Sequence, residues 1–366
     1  MPSSLFSSKQ RPNKSGYSYK TETSPGSVAA LPTPVTSGKT DSASPMGVDI
    51  GNGSLKLVSS QGETRIDSYV HYLSERASMA ASSGYVEYHQ GDRSDLIGKQ
   101  WVAGISAYYH GLRGIYRVTD TNQGKADLGL QILLSALSML PYRAEWNLCL
   151  VASIHDGQAL GKGLKASLEG THIVLMSNKR STVQISVAAV LEEGSGAVIH
   201  YHRDCDTTNA LLYDLGNGTL IVSGFAGLKM TDRRYSQNGG VESLIESVAT
   251  NEQIRCKLLK EGDRHLIRAG IENRTFTYGT QYPDWTFKEA YKAELPNWIE
   301  RVLKPMVRPT EERMASATAL IAIGGGACLP GIEALLAKRN IQVLSDPLWA
   351  NARGLYAYAL RKASSL

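Results

Sequence analysis

With 366 residues, 42% of them apolar and 20% charged, the chain has material for two domains with sizeable cores and an ordinary globular composition. No run approaches the roughly 18 apolar residues that a membrane span needs, and Leu5-Phe6 among serines is too short for a signal-peptide core. The net charge of +5 does not mark a basic surface, because Lys9, Arg11, Lys14, Lys20 and Lys39 against Glu22 and Asp41 put +3 in residues 1–45 and leave +2 for the rest.

Residues 1–45 are rich in Ser, Thr, Pro and Gly and have no apolar periodicity, which predicts a disordered basic tail. Such a tail is either a plain spacer or a weak electrostatic tether to DNA or another partner. It lacks the amphipathic pattern of a membrane-binding helix. Residues 46–70 read as a strand meander. In its first turn, Asn52-Gly53 lies between two apolar runs, the signal for a β-hairpin. Gly51 and Gly53 let the turn's amides approach an anion. Asp49 stands just before the turn, placed to hold a metal ion or its water, and Lys56 returns a positive charge to the same spot. Alone, such a turn is more often a plain hairpin.

Residues 74–114 are less regular and Tyr-rich, with polar clusters around Glu87–Arg93, and read mainly as a solvated insertion. Lys125 precedes Leu128–Leu140, an apolar helix stopped by Pro141. Trp146–Ile154 reads as a buried strand. His155-Asp156 after it invites an acid–base reading, but no nucleophile is recognisable nearby and Asp156-Gly157 is ordinary turn chemistry. Ile173–Met176 and Thr182–Val190 predict two more strands. Glu192-Glu193 then ends a strand before a small-residue helix, where acids suit the helix dipole or chemistry. His200–Asp206 holds zinc-capable residue types without a second pair at finger spacing, and reads as an exposed loop.

Leu212–Val222 repeats the first hairpin. Asp214, Gly216, Asn217, Gly218 and Thr219 stand in step with Asp49, Gly51, Asn52, Gly53 and Ser54, while Ile221 replaces Lys56. A repeat this long is no solenoid period. It implies two similar domains, each turning one hairpin towards a shared cleft. Gly239-Gly240 opens a helix over Val241–Val248, and a second helix over Asn251–Leu259 offers Glu252 near a base or ribose. Residues 286–308 carry an amphipathic helical pattern interrupted by Pro296. Ala319–Ile323 is a buried strand ending in Gly324-Gly325-Gly326, where bare backbone leaves room for a flat ring or ribose. Leu355–Leu360 reads as the last helix. The four cysteines, Cys149, Cys205, Cys256 and Cys328, form no Cys-x-x-Cys pair and read as reduced thiols of a cytosolic protein.

The two Asp-x-Gly hairpins and the Gly-Gly-Gly turn, in this order, resemble phosphate 1, phosphate 2 and the adenosine loop of the actin-like ATPase superfamily. Within it the chain most resembles the bacterial plasmid-segregation actins of the ParM/StbA type. Gln100-Trp101-Val102-Ala103-Gly104, Lys125 ahead of its helix, and Asp346–Leu355 are similar to further passages of that family. The resemblance implies an α/β, actin-like (ribonuclease H-like, duplicated) two-domain fold with a nucleotide cleft between the domains. Domain I would span 46–203 with a small inserted subdomain around 74–114, domain II 204–338, and 339–366 would return to domain I. It also implies a bacterial, cytoplasmic ATPase that uses Mg2+, takes ATP or GTP and polymerises with itself. Such a protein moves plasmid DNA through an adaptor bound to centromere DNA and has no membrane role.

In the family's Val-x-x-Glu-x-x-x-Ala pattern, matched by Val190, Glu193 and Ala197, the glutamate orients the attacking water. Glu192 replaces the family's proline, so both neighbours remain candidates. The implied catalytic set is Glu193, Asp214 and Asp49, with Asp49 and Asp214 holding Mg2+ through water. Lys56 would neutralise the β- and γ-phosphates. Gly51, Asn52, Gly53, Ser54, Gly216, Asn217, Gly218 and Thr219 would line them, and Gly324, Gly325 and Gly326 would take the adenosine. Hydrolysis then rests on positioning water in line, and loss of the γ-phosphate would loosen the cleft and switch filament contacts. A small-molecule kinase or a non-polymerising ATPase is the alternative, but no acceptor-pocket motif is visible. A chaperone-type ATPase would append a large domain after the adenosine loop, and the sequence has no such stretch.

Overall fold

The computed structural model describes residues 43–74, 83–110, 114–203, 205, 208–236 and 239–364. The tail expectation therefore lies outside the described residues except at its end, where Ser44 and Pro45 already belong to a strand and pair with Leu148 and Cys149. The expected meander forms β1 (Ser44–Ile50), β2 (Ser54–Ser59) and β3 (Gly62–Asp67). Next come β4 (Tyr69–Leu73), β5 (Tyr85–Gly91), β6 (Gln100–Ala103), α1 (Ile105–His110), β7 (Ile115–Arg117) and α2 (Gly124–Leu137). β8 (Glu145–Ile154), α3 (Gly157–Leu168), β9 (Gly170–Met176), β10 (Lys179–Glu192) and α4 (Ser195–Tyr201) complete the first half.

These ten strands make one sheet in the order β3-β2-β1-β8-β10-β9-β5-β6-β4-β7. β1, β8 and β10 run parallel at its centre and the hairpins flank them antiparallel. Helices cover both faces of β8, which is why its inner residues Leu148–Ala152 are a continuous apolar run rather than an alternating one. The 74–114 region departs from the solvated insertion expected of it. β5 and β6 extend the main sheet beyond β9, and Tyr85, Tyr88 and Trp101 are fully buried. Their polar tips find partners inside: Trp101 Nε1 donates to the Gln131 carbonyl at 3.2 Å and to Ser135 Oγ at 3.1 Å, and Tyr88 Oη meets His172 Nδ1 at 2.9 Å. Composition alone reads such a segment as surface.

The second half repeats the plan. β11 (Asn209–Leu215), β12 (Leu220–Ala226) and β13 (Lys229–Ser236) form a meander, and β11 runs parallel to β16 (Ala319–Ile323) as β1 does to β8. The sheet order is β13-β12-β11-β16-β17, with β17 at Gln342–Val343. Because β17 belongs here, the return to the first sheet begins after it rather than at residue 339. Between β13 and β16 lie α5 (Val241–Thr250), α6 (Glu252–Leu258), α7 (Arg264–Glu272), a small hairpin of β14 (Thr277–Tyr278) and β15 (Tyr282–Thr286), α8 (Lys288–Trp298), α9 (Lys304–Val307) and α10 (Glu311–Met314).

Pro296 does not interrupt α8. The helix runs past it and widens into a π turn at Ile299–Leu303, a local adjustment that keeps the segment helical. Burial of Tyr291, Trp298 and Val302 in the second core holds it there. His200 and Tyr201 likewise belong to α4 rather than to an exposed loop. After α11 (Ile332–Ala337), α12 (Ala350–Ala363) crosses back to pack on α4, β1 and β8. Among the described residues no helix is long and apolar enough to cross a membrane.

Candidate functional site

The β1–β2 and β11–β12 hairpins have the same geometry. Ile50 faces Leu55 and Leu215 faces Leu220, so each closes a four-residue loop. The two loops interlock across the gap between the sheets. A Cβ on Gly53 would lie 2.8 Å from the Asn217 side chain, and one on Gly218 would lie 2.8 Å from Asn52 Nδ2. Only glycine admits that mutual approach. Each loop is buttressed from outside. Ser68 donates through its amide to the Gly53 carbonyl and through its hydroxyl to that of Gly51. The first amides of α5 and its cap bond the carbonyls of Gly216, Asn217 and Gly218.

A cleft with about 930 Å³ of empty space runs between the sheets. It is lined by Asp49, Gly51, Asn52, Gly53, Ser54, Lys56, Glu193, Asp214, Gly216, Asn217, Gly218, Thr219, Gly324 and Gly325. The residues singled out for the cleft thus converge, with three exceptions. Glu192 is turned towards Gly157 and Arg233. Gly326 is buried behind the turn against Leu215. Glu252 sits exposed at the start of α6 and does not line the cleft, whereas Glu272 on α7 does. The glycine turn is needed where β16 ends, since Gly324 has φ +87° and a Cβ there would lie 2.6 Å from Asp214 Oδ1.

The two hairpin acids sit in opposite electrostatic settings. Asp49 and Lys56 face each other across their hairpin and form an ion pair at 3.0 Å. Asn351 Nδ2 donates to the other Asp49 oxygen at 3.0 Å, and Ser153 Oγ donates to it at 3.3 Å. Burial alone would raise the Asp49 carboxyl, but Lys56, Lys125 and the Asn351 amide outweigh it and hold it below the ordinary carboxylate value. Asp214 has Ile221 where Asp49 has Lys56, and among the described residues no hydrogen bond or ion pair reaches its carboxylate. Burial, with Glu193 and Asp49 nearby, pushes its pKa up to about 7. The two glutamates also separate. Glu192 accepts from the Gly157 amide at 2.8 Å and pairs with Arg233 at 2.9 Å, away from the cleft. Glu193 lines the cleft and pairs with Lys125.

Several residues of the site were not flagged by the sequence. Asn351 reaches Asp49 from α12, 302 residues away in the chain. Arg65 on β3 donates through Nε to Ser54 Oγ at 3.2 Å and, through both terminal nitrogens, to Glu272 at 3.0 and 3.1 Å. That bidentate pair spans the mouth of the cleft from the first sheet to α7. Beside it, the His265 ring of α7 packs on Tyr69 and Tyr108, with centroids 5.3 and 4.0 Å apart. No local pattern marks such partners; only the Arg, Glu and Asn residue types hinted at them.

Residues 47–196 match the family described as the N-terminal domain of actin-like proteins. No curated protein matches the chain in sequence. Among solved structures, it superposes on an archaeal actin homologue in complex with ADP, with a TM-score of 0.67 and 15% identity over 86% of this chain and 99% of that one. It also superposes on Bacillus thuringiensis ParM with ATP (TM-score 0.64, 13% identity, 88% of this chain and 99% of that one). A third similar structure is the 15-stranded ParM filament from Clostridium botulinum (TM-score 0.65, 14% identity, 87% and 99%). The chain has the actin-like α/β fold, and its residues 47–196 match the N-terminal domain of actin-like proteins.

Proposed function

We propose that this is a filament-forming nucleoside triphosphatase that segregates plasmid DNA in the bacterial cytoplasm through an adaptor protein. The observation that carries the reading is the pair of interlocked Asp-x-Gly hairpins, one from each sheet, on a cleft whose far wall is a glycine turn. In this reading the loop amides, Ser54 and Thr219 cradle the phosphates, Lys56 neutralises them, and Gly324 and Gly325 accept the nucleoside. The relatives seen with ADP, with ATP and as a filament support it.

The donor set fits Mg2+. Among the described residues no three His, Cys, Asp or Glu side chains form a protein cage for a metal. Mg2+ keeps its waters and takes one or two carboxylates plus phosphate oxygens. Asp214, destabilised as an anion by burial and by two neighbouring acids, gains most from a dication. When bound, the ion supplies charge neutralisation for the phosphates.

Light scattering and pelleting with Mg·ATP, Mg·GTP, Mg·ADP and no nucleotide test the proposal. Assembly with a triphosphate and disassembly as phosphate is released are expected, with persistent filaments from Glu193→Ala. Hydrolysis without assembly would remove the filament claim and direct attention to phosphate acceptors. Absence of nucleotide binding would remove the whole reading.

The Arg65–Glu272 clasp yields a separate expectation. Its partners are 27% and 43% exposed, so Glu272→Ala should change unfolding free energy by about 1 kcal/mol or less. Closure of the cleft mouth should weaken all the same. Chase of a fluorescent nucleotide is expected to show release accelerated by roughly three- to tenfold; an unchanged rate would mean that the clasp does not gate the cleft.

A further inference from the structure

Asn351 is the second residue of α12, and its backbone and side chain have separate tasks. The backbone packs, since a Cβ on Gly196 would lie 2.2 Å from the Asn351 carbonyl oxygen where α12 crosses α4. The buried side chain reaches into the first sheet instead. Its Nδ2 donates to Asp49 Oδ1 at 3.0 Å and to Ser153 Oγ at 3.1 Å, and Ser153 Oγ donates to the same Asp49 oxygen at 3.3 Å. A closed triangle of hydrogen bonds thus joins α12 to the ends of β1 and β8.

The triangle costs stability elsewhere. Asn351 Oδ1 is buried and has no hydrogen-bond partner among the described residues, an unfavourable state for an acceptor. Turning the amide over would set that oxygen against the Asp49 carboxylate, so the acid dictates which way the side chain faces. A residue kept only for packing would be better apolar here. The same bonds decide which part of Asp49 stays available. A carboxylate has about four acceptor positions, two on each oxygen. Asn351 and Ser153 occupy both positions of Oδ1, while Oδ2 accepts from Lys56 Nζ at 3.0 Å and keeps one open. Asp49, Lys56 and Asn351 all line the cleft. The charged groups near Asp49 are Lys56 from β2, Lys125 from α2 and Asp214 from β11. Among the described residues Lys56 alone bonds the carboxylate as an ion, through Oδ2, so Oδ1 is held by neutral donors.

We propose that Asn351 is a positioning residue for Asp49: with Ser153 it saturates Oδ1 and fixes the carboxylate, so that the open acceptor on Oδ2 meets the water shell of a phosphate-bound Mg2+. This rests on the nucleoside-triphosphatase reading. Because the donors that hold Oδ1 are neutral, they orient the acid without cancelling the charge that a dication needs. Without the amide the carboxylate is free to turn about its Cβ–Cγ bond, and the open acceptor is no longer aimed. Asn351 itself touches neither phosphate nor metal in this arrangement; it acts through Asp49.

The test measures binding of non-hydrolysable ATP and GTP analogues by calorimetry, with Mg2+ and with EDTA, together with kcat and KM. Asn351→Ala is expected to lose roughly tenfold in affinity with Mg2+, to keep its affinity in EDTA, and to show a fall in kcat larger than any rise in KM. In an Asp49→Asn background the same substitution should change nothing further, because its effect passes through that acid. Equal losses with Mg2+ and EDTA would mark Asn351 as merely structural and overturn the inference. Additive losses in the double variant, binding like wild type, or wild-type binding that ignores Mg2+ would overturn it too. If Asn351→Ala or Asp49→Asn does not fold, Ser153→Ala decides. Removing that other Oδ1 donor should weaken only the Mg2+-dependent affinity, by roughly threefold, and an affinity equal to wild type overturns the inference. A wild type that binds neither analogue would instead bring down the reading beneath it.

Discussion

Replacing Asp214 with asparagine is expected to remove Mg-dependent turnover and, at the same time, to stabilise the nucleotide-free protein above pH 7. The first effect should reach about two to four orders of magnitude, because the substitution deletes the acid that the proposed function assigns to the metal's water shell. The second follows from the charge environment. The Asp214 carboxyl titrates at about 7 in the folded chain against 3.8 ordinarily, since burial, Glu193 and Asp49 all oppose its charge. For a carboxyl raised in the folded state, the unfolded chain ionises first. The penalty is absent below about pH 4, grows towards pH 7 and is complete above it. Discounted for the residue's partial exposure, the gain in Asp214→Asn should be about 1–3 kcal/mol at pH 8, fading to nothing near pH 4. Urea denaturation of both proteins at pH 8 and pH 4.5 measures it. A variant less stable than wild type at pH 8 would show that the carboxylate is well partnered in the folded state. The expected gain would instead show that the site holds a destabilised group for function, the usual form of a stability–activity trade-off.

Gly354→Ala is expected to be the most damaging added methyl among the described glycines. A Cβ at position 354 would lie 1.6 Å from the Gly196 carbonyl oxygen, and one at 196 would lie 2.2 Å from the Asn351 carbonyl. α12 and α4 therefore cross backbone on backbone, with no flexible side chain able to yield. The same helix presses on β1, where a Cβ on Gly47 would lie 2.3 Å from the Tyr356 amide. Separating these elements costs about 3 kcal/mol or more, a large share of the 5–15 kcal/mol that holds a typical domain. It also withdraws Asn351 from Asp49, so the site degrades with the fold. The control is Gly163→Ala in α3, an exposed helical position where a Cβ meets nothing within 4 Å. There the substitution should stabilise by about 0.5–1 kcal/mol through helix propensity and the unfolded chain. Thermal or urea unfolding of the two variants should move in opposite directions. If Gly354→Ala matched wild type, the close crossing of α4 and α12 would be wrong.

Much of the site was legible because its parts are local. Asp49 to Lys56 and Asp214 to Thr219 are single hairpins, and the acid, the glycines and the hydroxyl sit in one short window whose turn chemistry fixes their relation. The repeat of that window carried the fold, because two like hairpins imply two sheets that start on the same plan, although one has ten strands and the other five. The strand-to-glycine turn at Ala319–Gly326 was legible for the same reason. Where local signals misled, burial had overridden them. Tyr85, Tyr88 and Trp101 sit inside because the sheet extends over them and their polar tips are satisfied. Pro296 stays helical because Tyr291 and Trp298 anchor the helix on either side of it.

The sequence by itself determined the two hairpins, the glycine turn, the order in which they come and hence the duplicated α/β plan, since each depends on backbone conformations set by neighbouring residues. Only the tertiary structure decided which charges meet. Lys56 closes on Asp49 while Asp214 has no ion pair among the described residues, Glu193 rather than Glu192 faces the cleft, and Arg65 reaches Glu272 from 207 residues away. Those pairings depend on distances and burial across two sheets. Electrostatic energy is set by such distances and by the exclusion of water, neither of which is a property of residue order.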